Sequence, residues 1–338
     1  MHRESLVIIS NAVGGGGAEN AMFDLYKGLQ TKIPIKLIAL NSDATASKSE
    51  EGVLVLARKW GGGLFTTLLT FLTLNRRFHQ IKPTVLIVNC ELAELMIAFS
   101  PLSATRIICV EHTSNPWIGR KPLGIVVRKI LALKGASWVT VSSNDNRIWQ
   151  APGEGKFIPN PVRVPKLKTL ERGPNAVYVG RLTSGKRPEW AVFAAAKAEV
   201  VLDIYGEGPL LEELVGLQHD INCRVQFHGY IENCWDYISS DDVLLMPSAF
   251  EGDGIVVVQA ILAGMRILLA DNKDLRRFEL PEECYVRDAD DMAAKLAEID
   301  FGNKVNYRAS ADARDKLLVA RSIETVSEKW LTCLRDNS

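Results

Sequence analysis

Short runs of β-branched and aliphatic residues recur along the chain, with stretches long enough for helices between them. Runs that are apolar throughout are typical of strands covered on both faces, and their alternation with helices indicates parallel, doubly wound sheets. The chain is therefore predicted to be an α/β protein. The runs are LVIIS (6–10), IKLIAL (35–40), VLVLA (53–57), TVLIVN (84–89), RIICVE (106–111), WVTVSS (138–143), NAVYVG (175–180), VVLDIYG (200–206), RVQFHG (224–229), DVLLMPS (242–248), RILLA (266–270) and CYVR (284–287).

The repetition of this pattern on either side of a proline-rich segment predicts two domains. That segment, KFIPNPVRVPKLKTLERGPN, has almost no helical periodicity, and we place the linker at residues 158–174. Residues 1–160 are predicted to form one Rossmann-like domain and residues 161–338 a second. The amphipathic C-terminal helix in ARSIETVSEKWLTCLRDNS is expected to pack back on the first domain. Two such domains facing each other would bind a ligand at the carboxyl ends of their strands.

The balance of charge argues against nucleic acid as a partner, because 40 Lys and Arg residues cancel 40 Asp and Glu residues. The six cysteines form no CxxC pair, so reduced thiols are expected. The N-terminus MHRESLVIIS lacks the pattern of a signal peptide, which predicts a cytoplasmic location. The apolar stretch LFTTLLTFLTL (64–74) has about half the length that a bilayer span requires.

A glycine-rich loop joins the first predicted strand to the first helix in SNAVGGGGAENAMFDLYKGL. Backbone N–H groups at such a turn attract phosphate, because the start of a helix carries partial positive charge. Neither register of the glycines fits G-x-G-x-x-G/A, which disfavours an NAD-dependent oxidoreductase, and no Walker lysine follows. A flexible turn is the alternative, although four successive glycines exceed what a turn requires.

A second loop, VGRLTSGKRPEWAVFA, ends a predicted strand and precedes a helix. Arg181 and Lys186 flank its small polar centre. Fixed positive charge there would stabilise negative charge that builds on a diphosphate leaving group. A solvated basic loop is the alternative interpretation.

A third loop opens the segment EGDGIVVVQA, in which a nearly apolar helix is predicted to begin at Gly254. Glu251 comes just before the free N–H groups of the first helical turn, which can bind an anion. Gln259 interrupts the apolar run, and a buried amide requires a hydrogen-bond partner. The alternative is a helix cap at Glu251 and Asp253, with Gln259 satisfied by nearby backbone.

The sequence Asp288-Ala289-Asp290 resembles the DxD of metal-dependent sugar transferases. It directly precedes the helical run DMAAKLAEI, so N-capping of that helix explains it better. No metal site is predicted there.

Seven segments occur in the order found in the retaining GT-B glycosyltransferases of glycosyltransferase family 4, and nearly the whole chain resembles that family. The resemblance implies an α/β GT-B fold, in which two doubly wound parallel-sheet Rossmann-like domains face a central cleft. The segments are GGAEN (16–20), EHTS (111–114), IPNPV (158–162), GRLTSGK (180–186), YGEGPL (205–210), VQFHGY (225–230) and MPSAFEGDGIVVVQAILAG (246–264).

The resemblance also implies roles for individual residues. Arg181 and Lys186 look like the family's diphosphate clamp, and Glu251 is expected to contact hydroxyls of the donor sugar. His112 matches a histidine beside the sugar ring, with a satisfied core histidine as the alternative. These four are the candidate catalytic residues. The expected contacts to the nucleotide sugar are Gly16, Gly17, Arg181, Lys186, Gly206, Tyr230, Ile231, Glu251, Asp253, Gly254, Ile255, Val256 and Gln259.

Two positions depart from the family's pattern. Its signature of two glutamates separated by seven residues reads Glu251 and Gln259 here, and Asp253 stands where an aromatic residue is usual. An amide at position 259 can still hydrogen-bond a ribose diol, although without a charge.

The implied reaction moves a hexose-type sugar from a nucleoside diphosphate sugar to an acceptor hydroxyl, with retention at the anomeric carbon. No metal and no cofactor are expected; the donor substrate is a UDP-, GDP- or ADP-sugar. The acceptor is expected to be a saccharide or lipid-linked saccharide in bacterial cell-surface polysaccharide or lipopolysaccharide assembly. The alternatives are a sugar-nucleotide epimerase of similar shape and a non-catalytic binding protein derived from a transferase.

The acceptor is expected to contact the first domain. There, WIGRKPLGIVVRKILALKGA (117–136) combines aliphatic residues with Arg120, Lys121, Arg128, Lys129 and Lys134. A basic amphipathic helix can lie on an anionic membrane surface, here the inner face of the cytoplasmic membrane. An ordinary domain helix with a solvated cationic face is the alternative.

Overall fold

The structure of the protein is a computed structural model that describes residues 5–42, 50–58, 63–113, 116–142, 149–150, 155–170, 173–299 and 307–336. The chain divides into two compact units. Unit 1 comprises Met1–Val162 and Arg321–Ser338, and unit 2 comprises Arg163–Ala320. The first part of the predicted linker therefore belongs to unit 1 and the rest to unit 2, and the C-terminal end of the chain returns to unit 1.

Unit 1 is built on a parallel sheet. Its strands are β1 (Leu6–Ser10), β2 (Ile35–Asn41), β3 (Val53–Arg58), β4 (Val85–Asn89), β5 (Arg106–Glu111), β6 (Ser137–Thr140) and β7 (Lys156–Phe157). Its helices are α1 (Gly17–Gln30), α2 (Leu64–Ile81), α3 (Glu91–Phe99), α4 (Lys121–Leu133) and, from the end of the chain, α11 (Ile323–Arg335). Within the described residues the strand order is β3-β2-β1-β4-β5-β6-β7.

Helices cover both faces of this sheet. On one face, Leu74 and Phe78 of α2 pack in a single core cluster with residues of α3 and α4. On the other face, α1 and α11 form a second cluster, in which Trp330 is buried. A strand such as β1, buried at every residue, contacts both layers, which explains why its sequence shows no alternation.

Unit 2 repeats this plan. Its strands are β8 (Ala176–Val179), β9 (Leu202–Tyr205), β10 (Val225–Gly229), β11 (Val243–Met246), β12 (Arg266–Ala270) and β13 (Tyr285–Val286). Its helices are α5 (Pro188–Lys197), α6 (Leu211–Asp220), α7 (Ile255–Leu262), α8 (Lys273–Arg276), α9 (Ala289–Glu298) and α10 (Ala311–Arg321). In the described part of this unit the strand order is β10-β9-β8-β11-β12-β13. β8 thus lies between β9 and β11, and the loops that follow these strands lie side by side.

Each predicted apolar run contains a strand, although several strands are shorter than their runs; Ser143, at the end of WVTVSS, lies outside the described residues. β7 was not predicted, because its two residues are exposed and carry no apolar pattern. The prediction of strands covered on both faces is wrong for β10, an edge strand whose residues are half-buried or exposed. None of the described helices has the length and hydropathy that a membrane span requires. All six cysteines are free thiols.

Candidate functional site

The loops after β8, β9 and β10 are hydrogen-bonded to one another at the carboxyl edge of the unit 2 sheet. The Gly180 N–H donates to the Tyr205 carbonyl at 3.0 Å, and the Gly206 N–H donates to the Gly229 carbonyl at 2.8 Å. Gly206 has a φ of +148°, and a Cβ at this position would lie 1.9 Å from the Gly180 carbonyl oxygen. Gly206, predicted as a ligand contact, is therefore required for the close approach of two backbone segments.

Arg181 and Lys186 lie in the loop between β8 and α5. The Tyr178 hydroxyl donates to the Arg181 carbonyl at 2.9 Å, while Arg181 itself is exposed. Lys186 ends a 3-10 turn, Ser184–Lys186, and its Nζ lies 2.5 Å from Oε1 of Glu251. The structure thus brings together two residues that belong to separate sequence motifs.

Glu251 lies in the loop between β11 and α7, and its side chain is only 8% exposed. The ion pair with Lys186 compensates for removing this carboxylate from water. The Glu251 N–H also donates to Oδ2 of Asp274 at 3.1 Å, and Nη1 of Arg277 donates to the Gly252 carbonyl at 2.8 Å. Sequence reasoning missed Asp274 and Arg277. The available signal was their position after β12, the strand next to β11.

The helix α7 begins directly after this loop. Its N-cap residue, Gly254, has a left-handed backbone with a φ of 65°, a conformation that favours glycine. Asp253 is buried beside it. Ile255, Val256 and Gln259 are half-buried on one side of α7, because residues three and four apart share a helix face. The other side is core, formed by Val257, Val258, Ala260, Ile261 and Leu262.

Tyr230 and Ile231 follow the edge strand β10. The Tyr230 N–H donates to Oε1 of Glu207 at 3.3 Å, which connects this segment to the loop after β9. Tyr230 is exposed and Ile231 is half-buried. The His228 ring stacks on Tyr205 with a centroid distance of 4.4 Å, so side chains as well as backbone join these two strands.

In unit 1, the predicted residues Gly16, Gly17 and His112 all lie at the carboxyl edge of the sheet. α1 begins at Gly17, and Gly16 is its N-cap, with the Gly16 carbonyl accepting from the Asn20 N–H at 2.9 Å. Glu19 lies in the first turn of α1, where its negative charge interacts favourably with the helix dipole. The same charge would repel a phosphate bound at this turn. His112 follows β5, and its Nδ1 lies 3.5 Å from Nδ2 of Asn160.

A buried charge cluster includes Glu111, the residue before His112, and sequence reasoning missed it. Nη1 of Arg128 lies 2.6 Å from Oε2 of Glu111, and Nη2 lies 2.9 Å from Oε1 of Glu94. Nε1 of Trp117 donates to the other Glu94 oxygen at 2.9 Å. Burial raises the pKa of Glu111 to about 7, against the opposing effect of the Arg128 charge. One cation thus neutralises two buried carboxylates only in part.

This cluster corrects the interpretation of residues 117–136 as a helix with five solvated cations. Arg128 is 1% exposed and belongs to the core. Nζ of Lys134 donates to the Ser100 carbonyl at 2.6 Å, and Nζ of Lys121 donates to the Pro116 carbonyl at the same distance. Arg120 and Lys129 are exposed. The cationic face of α4 is therefore smaller than its sequence indicates.

The prediction that Asp288 caps a helix is confirmed. Asp288 is the N-cap residue of α9, and its Oδ1 accepts from the Asp291 N–H at 2.8 Å. Asp290 lies in the first turn and pairs with Lys197 at 2.6 Å. Both carboxylates therefore have structural partners.

Comparison with known proteins shows similarity to glycosyltransferases. Residues 164–314, almost all of unit 2, match the family model for glycosyl transferases group 1. The N-acetylgalactosamine-N,N'-diacetylbacillosaminyl-diphospho-undecaprenol 4-alpha-N-acetylgalactosaminyltransferase of Campylobacter jejuni is 28% identical over 131 residues, which are 38% of this chain and 34% of that protein. The chain thus matches about a third of the length of this curated relative.

Similarity to solved structures extends over both units. Sucrose-phosphate synthase from Thermosynechococcus elongatus has a TM-score of 0.79 at 17% identity, with 99% of each chain covered. Anabaena Alr3699/HepE in complex with UDP-glucose has a TM-score of 0.80 at 15% identity, with 98% of this chain and 99% of that chain covered. The chain therefore has the fold of the GT-B glycosyltransferases, and its second unit is similar to the glycosyl transferases group 1 family.

Proposed function

We propose that the protein is a retaining glycosyltransferase that binds a nucleoside diphosphate sugar in unit 2 and transfers the sugar to an acceptor hydroxyl. The observation that supports this most directly is the Lys186–Glu251 ion pair at the carboxyl edge of the unit 2 sheet. In this proposal the Lys186 cation would contact the diphosphate, and the neighbouring Glu251 carboxylate would contact sugar hydroxyls.

In this proposal the donor's diphosphate contacts Arg181, Lys186 and the N–H groups that begin α7. Arg181 is exposed, and Lys186 is three-quarters buried, with a side chain that is 25% exposed. A partly desolvated cation stabilises an anion more strongly than a fully hydrated one. The ribose is assigned to Gln259, one turn beyond Ile255, and the base to Tyr230 and Ile231.

The proposed reaction retains the configuration of the anomeric carbon. The bond from that carbon to the diphosphate oxygen breaks, the acceptor oxygen forms a new bond on the same face, and the departing phosphate takes the acceptor's proton. Arg181 and Lys186 would stabilise the charge that develops on the diphosphate. No metal is required, because these side chains and the helix N-terminus supply the positive charge.

We further propose a saccharide or lipid-linked saccharide as acceptor, in assembly of a bacterial cell-surface polysaccharide. The name of the Campylobacter jejuni relative includes a diphospho-undecaprenol, a lipid carrier. The Anabaena protein was solved with UDP-glucose, which makes UDP-sugars the first donors to test. His112 and the Gly16–Gly17 turn of unit 1 are the candidate contacts for the sugar and the acceptor.

A non-catalytic binding protein is the second candidate, and Gln259 and Asp253 favour it because they depart from the family's pattern. Such a protein would bind the nucleotide sugar without turnover. A sugar-nucleotide epimerase would instead convert the donor without any acceptor.

Thermal shift with a panel of UDP-, GDP- and ADP-sugars tests the proposal, since a ligand that binds only the folded state stabilises it by about 2.7 kcal/mol at a concentration of 100 Kd. We expect one nucleotide class to raise the melting temperature. Release of that nucleoside diphosphate should then depend on an added acceptor. Binding with neither release nor conversion of the donor would favour the non-catalytic alternative, and the absence of any shift would contradict donor binding.

A further inference from the structure

The first half of α2 presents an apolar face to solvent. Thr70, Leu74 and Phe78 pack inward, while the opposite side of the helix is uncovered. We call the exposed residues of this half the α2 apolar face. They are Leu64 (91% exposed), Phe65 (73%), Leu68 (54%), Leu69 (48%) and Leu72 (55%). Five large apolar side chains within nine consecutive positions form a contiguous patch rather than scattered exposure, and such a patch marks an interaction surface.

The polar side chains from Thr66 to Asn75 are hydrogen-bonded to backbone carbonyls of α2 and of its N-cap residue. Each threonine hydroxyl donates to a backbone carbonyl three or four residues earlier, and Asn75 does the same with its amide. Hydroxyls bonded in this way can enter an apolar environment without an unsatisfied donor, which would otherwise oppose burial. The bonds are Thr66 to Gly63 at 2.8 Å, Thr67 to Gly63 at 3.1 Å, Thr70 to Thr66 at 2.8 Å, Thr73 to Leu69 at 2.8 Å and Asn75 to Phe71 at 2.8 Å.

The charged side chains of α2 itself are cationic. α2 contains no Asp or Glu, and Arg76 and Arg77 are exposed one turn after Leu72. Leu64 and Leu72 are separated by about 12 Å along the helix axis, at 1.5 Å per residue. An apolar half followed by arginines is complementary to a bilayer surface, where hydrocarbon lies under anionic headgroups.

α4 presents a second exposed apolar region on the same side of the sheet. α2 and α4 contribute to the same core cluster, so they cover the same face of the sheet. Both follow parallel strands, so both begin at its carboxyl edge. In and just before its first half, α4 exposes Ile118, Leu123 and Val126 together with Arg120, and its sequence contains no acidic residue.

We infer that the α2 apolar face binds the surface of an anionic lipid bilayer. Leu64 to Leu72 would enter the interface, Arg76 and Arg77 would contact lipid phosphates, and the start of α4 would lie against the same surface. This contact is peripheral, since the C-terminal half of α2 is too polar for the helix to cross the bilayer. The inference does not depend on transferase activity, because it concerns unit 1 alone.

Flotation with vesicles tests it. The full-length protein is mixed with vesicles of equimolar phosphatidylcholine and phosphatidylglycerol, and the bound fraction is measured for the wild type and for Leu68→Gln/Leu72→Gln. We expect the double variant to lower the partition coefficient by about tenfold or more, because it removes buried apolar area from the contact. Arg76→Gln/Arg77→Gln should weaken binding to these vesicles and have less effect on pure phosphatidylcholine.

Leu133→Gln/Leu318→Gln is the matched control, since both leucines are exposed and neither belongs to the α2 apolar face. It should bind vesicles like the wild type. Equal melting temperatures would establish that all variants fold, and unchanged nucleotide-sugar binding would separate this result from the proposed donor site. Absence of wild-type flotation, or equal flotation of Leu68→Gln/Leu72→Gln, would overturn the inference. So would a lipid-free wild-type dimer that the double variant converts to monomer, because the face would then bind a second copy of the chain.

Discussion

Nζ of Lys186 lies 2.5 Å from Oε1 of Glu251, although the two residues are 65 positions apart in the chain. The pairing of β11 with β8 produces this contact, because parallel neighbours end at the same edge of the sheet. The Lys186 charge balances a carboxylate whose side chain is 8% exposed. In the proposed function a bound diphosphate would share this cation, which would couple donor binding to the environment of Glu251.

Replacement of Lys186 by Ala should weaken nucleoside diphosphate binding by about tenfold or more, because a hydrogen bond to a charged group contributes about 1.5–3 kcal/mol. Titration calorimetry with UDP, GDP and ADP measures the change. Lys197→Ala is the control, since Lys197 pairs with Asp290 on the surface. Unchanged affinity of Lys186→Ala for the nucleotide that binds would remove Lys186 from the site.

The fold class and the locally determined features could be predicted from the sequence, and contacts between distant segments could not. The Asp288 cap depends on residues three positions apart, so its pattern is visible in the sequence. Arg128 meets Glu94 and Glu111 through the order of strands and helices, which the apolar pattern alone does not specify. Its spacing from Gly124 and Leu131, both buried, was the signal that it faces inward.

Asp288→Ala should lower the free energy of unfolding by about 1 kcal/mol, the typical contribution of an N-cap side chain. Urea denaturation measures this, and Asp288→Asn should retain most of the stability because Asn also caps helices. Turnover should be unchanged at temperatures where the variant is folded. A loss of turnover without a loss of stability would assign Asp288 to the active site.

Activity should survive excess EDTA. The proposed site stabilises the diphosphate with Arg181, Lys186 and the start of α7, so removal of divalent cations should leave the rate of donor turnover within about twofold of its original value. The assay is nucleoside diphosphate release before and after dialysis against the chelator. Loss of activity that Mn²⁺ or Mg²⁺ restores would contradict metal independence.

The Glu94–Arg128–Glu111 cluster predicts a pH dependence of stability. Burial raises the pKa of Glu111 to about 7 from an ordinary value of 4.5, and it also raises the pKa of Glu94. Between pH 4.5 and about pH 7, Glu111 holds a proton in the folded protein, whereas the same carboxyl group in the unfolded chain has released it. The stabilisation is therefore fully present below about pH 4.5 and is lost as the pH rises through about 7.

Glu111→Gln should flatten this dependence, because the remaining Arg128–Glu94 pair is neutral. The difference in unfolding free energy between pH 5 and pH 7 should shrink by about 1–3 kcal/mol relative to the wild type. Urea denaturation at both pH values measures it, with the exposed Glu212→Gln as control. Parallel pH profiles for the wild type and Glu111→Gln would assign the dependence to other groups.

Substitutions at the two positions of the family signature, Glu251 and Gln259, should change different steady-state constants. An interaction that strengthens in the transition state affects kcat, whereas one made equally in the ground state affects KM. Glu251 is assigned to the sugar at which charge develops, so Glu251→Ala should lower kcat by about a hundredfold or more. Gln259 is assigned to the ribose, so Gln259→Ala should raise the KM of the donor with a smaller change in kcat.

Gln259→Glu restores the glutamate of the family pattern, so it tests whether the amide at position 259 alters donor binding. A carboxylate also accepts hydrogen bonds from a diol, so this variant should keep kcat and bind the donor equally well or more tightly. The half-buried position of Gln259 on the same side of α7 as Ile255 leaves room for the charge to be hydrated. Abolished turnover in Gln259→Glu, together with full activity in Glu251→Ala, would contradict both assignments and favour the non-catalytic binding protein.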